Sequence, residues 1–268
     1  MDYKLPKRVQ NSNKSTYGRV LNIAGSDYMP GAAYLSSVSA LKVGCGYCFL
    51  ASTERCISAV AAQTQNVVFV PFKDLQQHLK QADVVSIGCG LSTEKQSIKV
   101  FNQVLDCIEP DIPLIIDADG INILAKDSKR LTHQKTIITP HPKEAARLMD
   151  SSLDFVLDNL EYTASMLAST FNVIVALKTH RTLVMAPDGK KYINTSGNNS
   201  MAKAGSGDVL TGMISGLVAQ GMDMFEATCL GVYLHGLAGD IAKNELTEYS
   251  VMAEDLISFI PNAIKVCY

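Results

Sequence analysis

A chain of 268 residues, 47% apolar and 19% charged, is long enough to bury one large core or two small ones. Its formal net charge of −2, with no Lys/Arg run longer than two, argues against nucleic acid or an anionic membrane as the main partner. The seven cysteines sit mostly among apolar neighbours and read as reduced core residues of a cytoplasmic protein, and no segment approaches the roughly 18–20 apolar residues that span a bilayer.

The first 16 residues are polar and read as a loose N-terminal arm, with 17–268 as one domain, because no Gly-, Ser- or Pro-rich stretch divides the rest. A strand is predicted over Arg19–Ala24 and a helix over Gly31–Val43, followed by strands at Tyr47–Ala51, Asn66–Val70 and Asp83–Ile87. A helix over Glu94–Ile108 leads to strands at Pro113–Asp117 and Thr136–Thr139, then helices over Pro142–Met149 and Leu153–Phe171. A strand at Val173–Leu177 precedes two more, Thr182–Ala186 and Lys191–Asn194, which read as a β-hairpin around Pro187-Asp188-Gly189. Helices over Val209–Ala219, Phe225–Asn244 and Ala253–Val266 close the chain. Continuous apolar strands separated by helices indicate an α/β fold: a mostly parallel sheet covered on both faces, in three layers.

In open sheets of this kind ligands sit beyond the carboxyl ends of the strands, and the informative clusters fall there. Gly205-Ser206-Gly207-Asp208 stands immediately before a helical pattern. Three backbone N–H groups with little bulk at a helix N-terminus make a seat for an anion. Asp208 is an ordinary first-turn residue, but beside a bound anion it is an electrostatic nuisance unless it serves as a base for a hydroxyl. In Gly25–Ala33, Pro30 fits a first helical turn, Ser26 or Asp27 is placed to cap it, and Gly31-Ala32-Ala33 lets a ligand approach the backbone. Gly88-Cys89-Gly90 follows a strand and precedes a helix, as a backbone-lined ligand loop requires. Gly44-Cys45-Gly46 follows a helix and reads as its C-terminal turn, and Cys45-Gly46-Tyr47-Cys48 lacks the second pair that a metal site needs.

Asp117-Ala118-Asp119 can orient a hydroxyl or a hydrated ion, or cap the next short helix. His141, between Pro140 and Pro142, has its backbone held extended. Lys178-Thr179-His180-Arg181-Thr182 can hold a phosphate or ribose, or be an exposed basic edge of the hairpin. Gly212 and Gly216 are expected to let their helix lie close to the sheet.

Taken in order, these clusters resemble the ribokinase-like superfamily, and more closely its ADP/ATP-dependent NAD(P)H-hydrate dehydratases. The blocks run from Thr16-Tyr17-Gly18 through Ala24-Gly25-Ser26, Gly31-Ala32-Ala33, Gly88-x-Gly90, Asp117-Ala118-Asp119, Thr139-Pro140-His141-Pro142, Leu177-Lys178, Gly197-Asn198 and Gly205–Asp208 to Tyr233-Leu234-His235-Gly236. Departures are Thr179, Lys143, Gly120 and Ser15, each where the family usually has another residue. The resemblance implies that Asp208 is the catalytic aspartate and also touches substrate, and that Ala33, Gly90 and His141 line the hydrated-nicotinamide site. It assigns Lys178, Thr179, His180, Arg181, Thr182, Asn198, Gly205, Ser206 and Gly207 to the adenine nucleotide.

The activity so implied is dehydration of (6S)-NADHX or NADPHX, with ADP or ATP as phosphoryl donor and Mg²⁺ carried on the nucleotide phosphates and water. Glu144 is then a more distant partner of that ion. The resemblance further implies a homotetramer and a separate NAD(P)HX epimerase as functional companion. A small-molecule kinase of the same superfamily, acting on hydroxyethylthiazole, pyridoxal or a sugar, is the alternative, and a nucleotide-binding regulator without turnover is a third reading. The Pro-His-Pro cluster and Gly31-Ala32-Ala33 favour the dehydratase.

Overall fold

A computed structural model describes residues 3–267. Among them nine strands form one sheet: β1 (Arg19–Ile23), β2 (Tyr47–Ser52), β3 (Val68–Pro71), β4 (Val84–Ile87), β5 (Leu114–Ile116), β6 (Thr136–Ile138), β7 (Ile174–Leu177), β8 (Leu183–Met185) and β9 (Lys191–Ile193). Their order is 3-2-1-4-5-6-7-8-9. Neighbours from β3 to β7 run parallel, and the β7-β8-β9 edge is antiparallel. Each strand expected from the sequence forms, with its ends displaced by a residue or two at most. The β8–β9 turn closes as expected, with Gly189 at φ +87° and the Lys190 N–H donating to Asp188 Oδ1 (2.9 Å).

Among the described residues eleven α-helices accompany the strands: α1 (Pro30–Lys42), α2 (Glu54–Ala61), α3 (Leu75–Leu79), α4 (Lys95–Cys107), α5 (Asp119–Leu124), α6 (Pro142–Leu148), α7 (Leu153–Asp158), α8 (Leu160–Phe171), α9 (Ser206–Ala219), α10 (Met224–Glu245) and α11 (Ala253–Cys267). The strands alternate between two cores. Leu21, Ile23, Val85, Ile87, Leu114 and Ile116 face α3 to α8, whereas Val20, Val84, Ile115, Ile137 and Ala176 face α9, α10 and α11. Fully burying each such Leu or Ile is worth about 1.5–3 kcal/mol, and burial on both faces is why these segments read as unbroken apolar runs. A smaller cluster joins α2 to the first turn of α1 through Ala24, Ala33, Cys56 and Val60.

Several expectations need correction. The single helix foreseen over Leu153–Phe171 is two, because Asn159 leaves helical geometry at φ −133° and ψ +48° and turns its amide back to the Phe155 carbonyl (2.9 Å). Helices α2 and α3, of 8 and 5 residues, show about two turns of periodicity at most and were not foreseen as elements, whereas the short helix expected after Asp117-Ala118-Asp119 is α5, of 6 residues, whose cap Ala118 makes no side-chain bond. Neither Ser26 nor Asp27 caps α1: its cap is Met29, without a side-chain bond, although Pro30 does open the helix. Gly212 and Gly216 face α1 rather than the sheet, and side chains there would run into the Ser36 and Ala40 carbonyls. The N-terminal segment lies against the body. Arg8 stacks on Tyr17 (3.8 Å) and reaches the Gly44 carbonyl, while the Val9 N–H donates to the Tyr17 hydroxyl (3.1 Å).

Candidate active site

The strand order reverses between β1 and β4, so the loops that leave their carboxyl ends diverge, and an open sheet presents its ligand crevice at such a point. The floor is built from backbone. The Gly25 N–H donates to the Cys89 carbonyl (2.7 Å), joining the two loops. Gly88, at φ +127°, lies so close to the end of β5 that a side chain would strike the Asp117 carbonyl. Beneath, the buried Asn22 amide donates to Ser36 Oγ (2.8 Å) and Ser37 Oγ (2.9 Å) and accepts from Ser86 Oγ (3.0 Å), fixing α1 to β1 and β4. Of the residues the sequence assigned here, Gly90 is buried against Ala32 and Met29, and Ala33 has no exposed surface.

At the end of β5 the carboxylate of Asp117 is only 1% exposed. One oxygen takes the Lys178 ammonium at 2.5 Å, and the other accepts from Thr211 Oγ1 at 2.6 Å, with the Cys89 thiol at 3.8 Å. Burial works against its charge, but the Lys178 ammonium prevails and holds the carboxyl below its ordinary value. The ammonium is likewise opposed by burial, and Asp117 and Glu144 raise its pKa. The next residue, Ala118, adopts φ +48° and ψ −118°, a conformation that side chains disfavour. Asp119 turns away and accepts from the Ser92 N–H (2.8 Å).

Helix α9 begins at Ser206, three residues earlier than its apolar periodicity indicates, with Gly205 as cap at φ +92°. The Ser206 N–H donates to the Lys203 carbonyl (3.3 Å) and the Val209 N–H to that of Gly205 (3.1 Å). Among the described residues this leaves the Gly207 and Asp208 N–H groups without an acceptor. A side chain on Gly207 would lie 3.4 Å from Lys178 Nζ, so the ammonium sits beside the helix start. The Asp208 carboxyl is pushed up to about 6, first by burial and then by the Asp117 charge, against the opposing effects of Cys89 and Lys178. His235 on α10 faces Ser206 Oγ (3.3 Å) and is kept neutral by burial, its pKa about 4.

His141 caps α6. Its Nδ1 accepts from the Lys143 and Glu144 N–H groups (3.1 and 3.2 Å), and Glu144 Oε2 accepts from the His141 N–H (2.8 Å). The ring stays half-exposed, with its pKa lowered by burial and by Lys178. Burial raises the Glu144 carboxyl to about 7.

Asp208, Gly207, Lys178 and Asp117 therefore form one cluster, with Thr211 and Cys89 completing it. Lys178, assigned by the sequence to the nucleotide segment, has its amine inside this cluster. His180 and Arg181 are exposed on a turn that Thr179 Oγ1 closes through the Arg181 carbonyl (2.9 Å), and Thr182 is buried at its end. Asn198 is occupied structurally: its amide donates to Asp240 Oδ1 (2.8 Å) and its carbonyl oxygen accepts from Ser200 Oγ (2.6 Å). Sequence reasoning missed the Asp117–Lys178 pair, Thr211, Cys89 and the His235–Ser206 contact. The available signal was a lysine directly following the buried strand that ends at Leu177.

Residues 20–262 match the protein family described as NAD(P)H-hydrate dehydratase. The chain is 35% identical, over 98% of its length, to a bifunctional NAD(P)H-hydrate repair enzyme of Moorella thermoacetica, and spans about half (52%) of that protein. It is 34% identical over 88% of its length to an ADP-dependent (S)-NAD(P)H-hydrate dehydratase of Neisseria meningitidis, covering 81% of it. The crystal structure of the ADP/ATP-dependent NAD(P)H-hydrate dehydratase from Bacillus subtilis, co-crystallised with ATP/Mg²⁺, superposes with a TM-score of 0.88 at 30% identity, over 99% of this chain and 95% of that one. On these grounds, and with a ribokinase-like sheet whose crevice holds the clustered acids, the chain belongs to the NAD(P)H-hydrate dehydratase family.

Proposed function

We propose that this protein removes water from the (6S) hydrates of NADH and NADPH, using ADP or ATP as phosphoryl donor. Hydroxide is a poor leaving group, so the C6 hydroxyl is first phosphorylated: its proton passes to a base, a new O–P bond forms and the donor's terminal P–O bond breaks. The C6–O bond then breaks, inorganic phosphate leaves, a proton is lost from C5, and the dihydropyridine is restored. The observation that carries this reading is Asp208, an acid whose pKa lies near 6, beside two unpartnered helix N–H groups and an ammonium. Asp208 takes the hydroxyl proton, and the amides of the 205–208 bend, with Lys178, face the charge on the migrating phosphoryl oxygens. The turn from Thr179 to Thr182, Asn198 and Ser206 are proposed to frame the nucleotide, and Ala33, Gly90 and His141 the hydrated ring. For Asn198 and Ala33 the contact would come from backbone or from supporting packing, since the side chain of one is engaged and the other is covered.

No group of three or more His, Cys, Asp or Glu residues is placed to hold a metal ion among the described residues. In this proposal Mg²⁺ would be carried by the nucleotide phosphates and water, with Glu144 facing it through water and not as a ligand. Such an ion neutralises charge on the phosphates. A homotetramer in the cytoplasm, acting beside an epimerase, completes the proposal. Five buried free cysteines suit a reducing setting, the exposed Phe155, Leu157 and Tyr162 suit association, and the bifunctional relative's extra length suits a second activity on the same hydrate.

The test is Asp208→Asn, assayed for NADH formation from NADHX with ADP or ATP and Mg²⁺. Turnover is expected to fall about 10²–10⁴-fold with folding intact. Near-wild-type turnover removes Asp208 as the base.

A further inference from the structure

One buried acid of the cluster, Asp117, has no part in the proton transfer, yet both of its carboxylate oxygens have a donor. We propose that Asp117 is a positioning residue: it anchors the Lys178 ammonium against the first turn of α9, so that the remaining ammonium donors meet the phosphoryl group in transit. The proposal rests on the dehydratase reading for the identity of that phosphoryl transfer.

Geometry supports it from both ends of the pair. On the acid side, Asp117 accepts from Lys178 and Thr211, with Cys89 nearby, and is buried, so it has no room for a ligand of its own. Thr211 lies on α9 three residues beyond Asp208, so the same helix that carries the base also fixes the anchor. On the base side, an ammonium has three donors, and among the described residues Lys178 spends one, on Asp117 Oδ1. The side chain keeps 19% of its surface exposed, beside Gly207, where a larger residue would crowd it. A part-buried cation with spare donors, next to helix N–H groups that lack acceptors, is short of an anion. A lysine is otherwise a flexible point charge, and the carboxylate removes that freedom. No bond to Asp117 or Lys178 forms or breaks during the reaction.

Asp117 also acts at a distance through its charge. Asp208 faces Cys89, Asp117, Lys178 and Asp119, while Lys178 faces Asp117, Glu144 and Cys89, with His141 and His235 within its field. Removing the Asp117 charge makes Asp208 ionise at lower pH, and makes Lys178 release its proton at lower pH.

Asp117→Asn is therefore expected to lower kcat on the order of 10²-fold, as misplacement of a reacting geometry does, and to leave KM for the hydrate nearly unchanged. Both limbs of its kcat/KM pH profile should move to lower pH. A merely structural loss would scale the profile in height and leave both limbs in place, and that result overturns the proposal. Lys178→Arg keeps the ion pair and, because a guanidinium does not deprotonate, should abolish the alkaline limb. A limb that persists also overturns it. Calorimetry with ATP/Mg²⁺ and with AMP needs no turnover: Asp117→Asn should weaken ATP roughly tenfold, the cost of a lost charged hydrogen bond, and spare AMP. Equal effects on both nucleotides count against the anchor. Failure of the wild type to form NADH defeats the dehydratase reading instead, and the calorimetric comparison still decides the role of Asp117.

Discussion

The end of β5 and the first turn of α9 each bring an aspartate to the same crevice, and the two acids behave in opposite ways. Asp117 is buried, paired and held below its ordinary pKa, whereas Asp208, less deeply covered and without an ion-pair partner among the described residues, is raised to about 6. The difference lies in partners rather than in depth. Burial is the largest single effect on both, but the more buried of the two has the cation and further donors, so the Lys178 charge and the hydrogen bonds together outweigh burial there, whereas burial wins next door. Two like groups pushed apart in this way acquire different work, one holding a charge fixed and the other exchanging a proton.

The pair is broken most directly by removing the cation. Lys178→Met leaves Asp117 buried beside two neutral donors, and the loss of one partner from a buried ion pair costs about 3–5 kcal/mol. Urea unfolding at pH 7 is expected to show a loss of that size, smaller at pH 4 where the stranded carboxyl can take up a proton. In the double variant Lys178→Met/Asp117→Asn much of the stability should return. A double variant no better than the single one would mean that the ion pair, and not the unpaired charge, dominates the site.

The two aspartates also differ in how far the sequence announced them. Asp208 follows Gly205-Ser206-Gly207, and a glycine bend before a helix is a local signal that survives without any structure. The strands were legible for a related reason: buried on both faces, Val84–Ile87 or Leu114–Ile116 leaves no room for a polar residue other than one with a partner, as Ser86 has in Asn22. Asp117 and Lys178 are 61 residues apart, and nothing local to either names the other. Their meeting depends on β5 and β7 flanking β6 in the sheet order, and on Gly88 letting the β4 loop close over the end of β5. The capping of α6 by His141 was hidden for another reason. The flanking prolines drew attention to the ring as a ligand group, while the helix start beside it needed the same nitrogen.

The contrast makes a smaller and less intuitive demand on Asp208. Its folded pKa of about 6 lies above its ordinary 3.8, so between those values the folded chain binds more protons than the unfolded one, and stability falls as pH rises. The penalty is fully present above the folded value and absent below 3.8. Asp208→Asn, which abolishes the proposed base, should therefore raise Tm at pH 8, and that gain should fade as the pH is lowered through 6 towards 4. Asp117→Asn has the opposite sign, because an acid held below its ordinary pKa contributes stability that is lost only on acidification. Equal Tm changes for the two variants at pH 8 would erase the distinction drawn between them.

The finest test concerns the backbone that separates the anchor from its neighbour. Ala118 at φ +48° and ψ −118° joins Asp117, turned inward to Lys178, to Asp119, turned outward to the Ser92 N–H, and that reversal of direction within three residues is what the unusual conformation achieves. Strain of this kind costs on the order of 1–3 kcal/mol for a residue with a side chain and little for glycine, which in turn loses about 0.5–1 kcal/mol of backbone entropy. Ala118→Gly is thus expected to stabilise the chain by about 1 kcal/mol in urea unfolding, a modest net of two opposing effects. If the conformation exists to hold the two carboxylates apart, the gain in stability should come with a small loss of kcat, because a freer backbone lets Asp117 wander from Lys178. A gain in stability with kcat unchanged would mean that the ion pair and the Thr211 hydroxyl hold the carboxylate by themselves, and that the strain is a cost of the tight closure between Gly88 and Gly120.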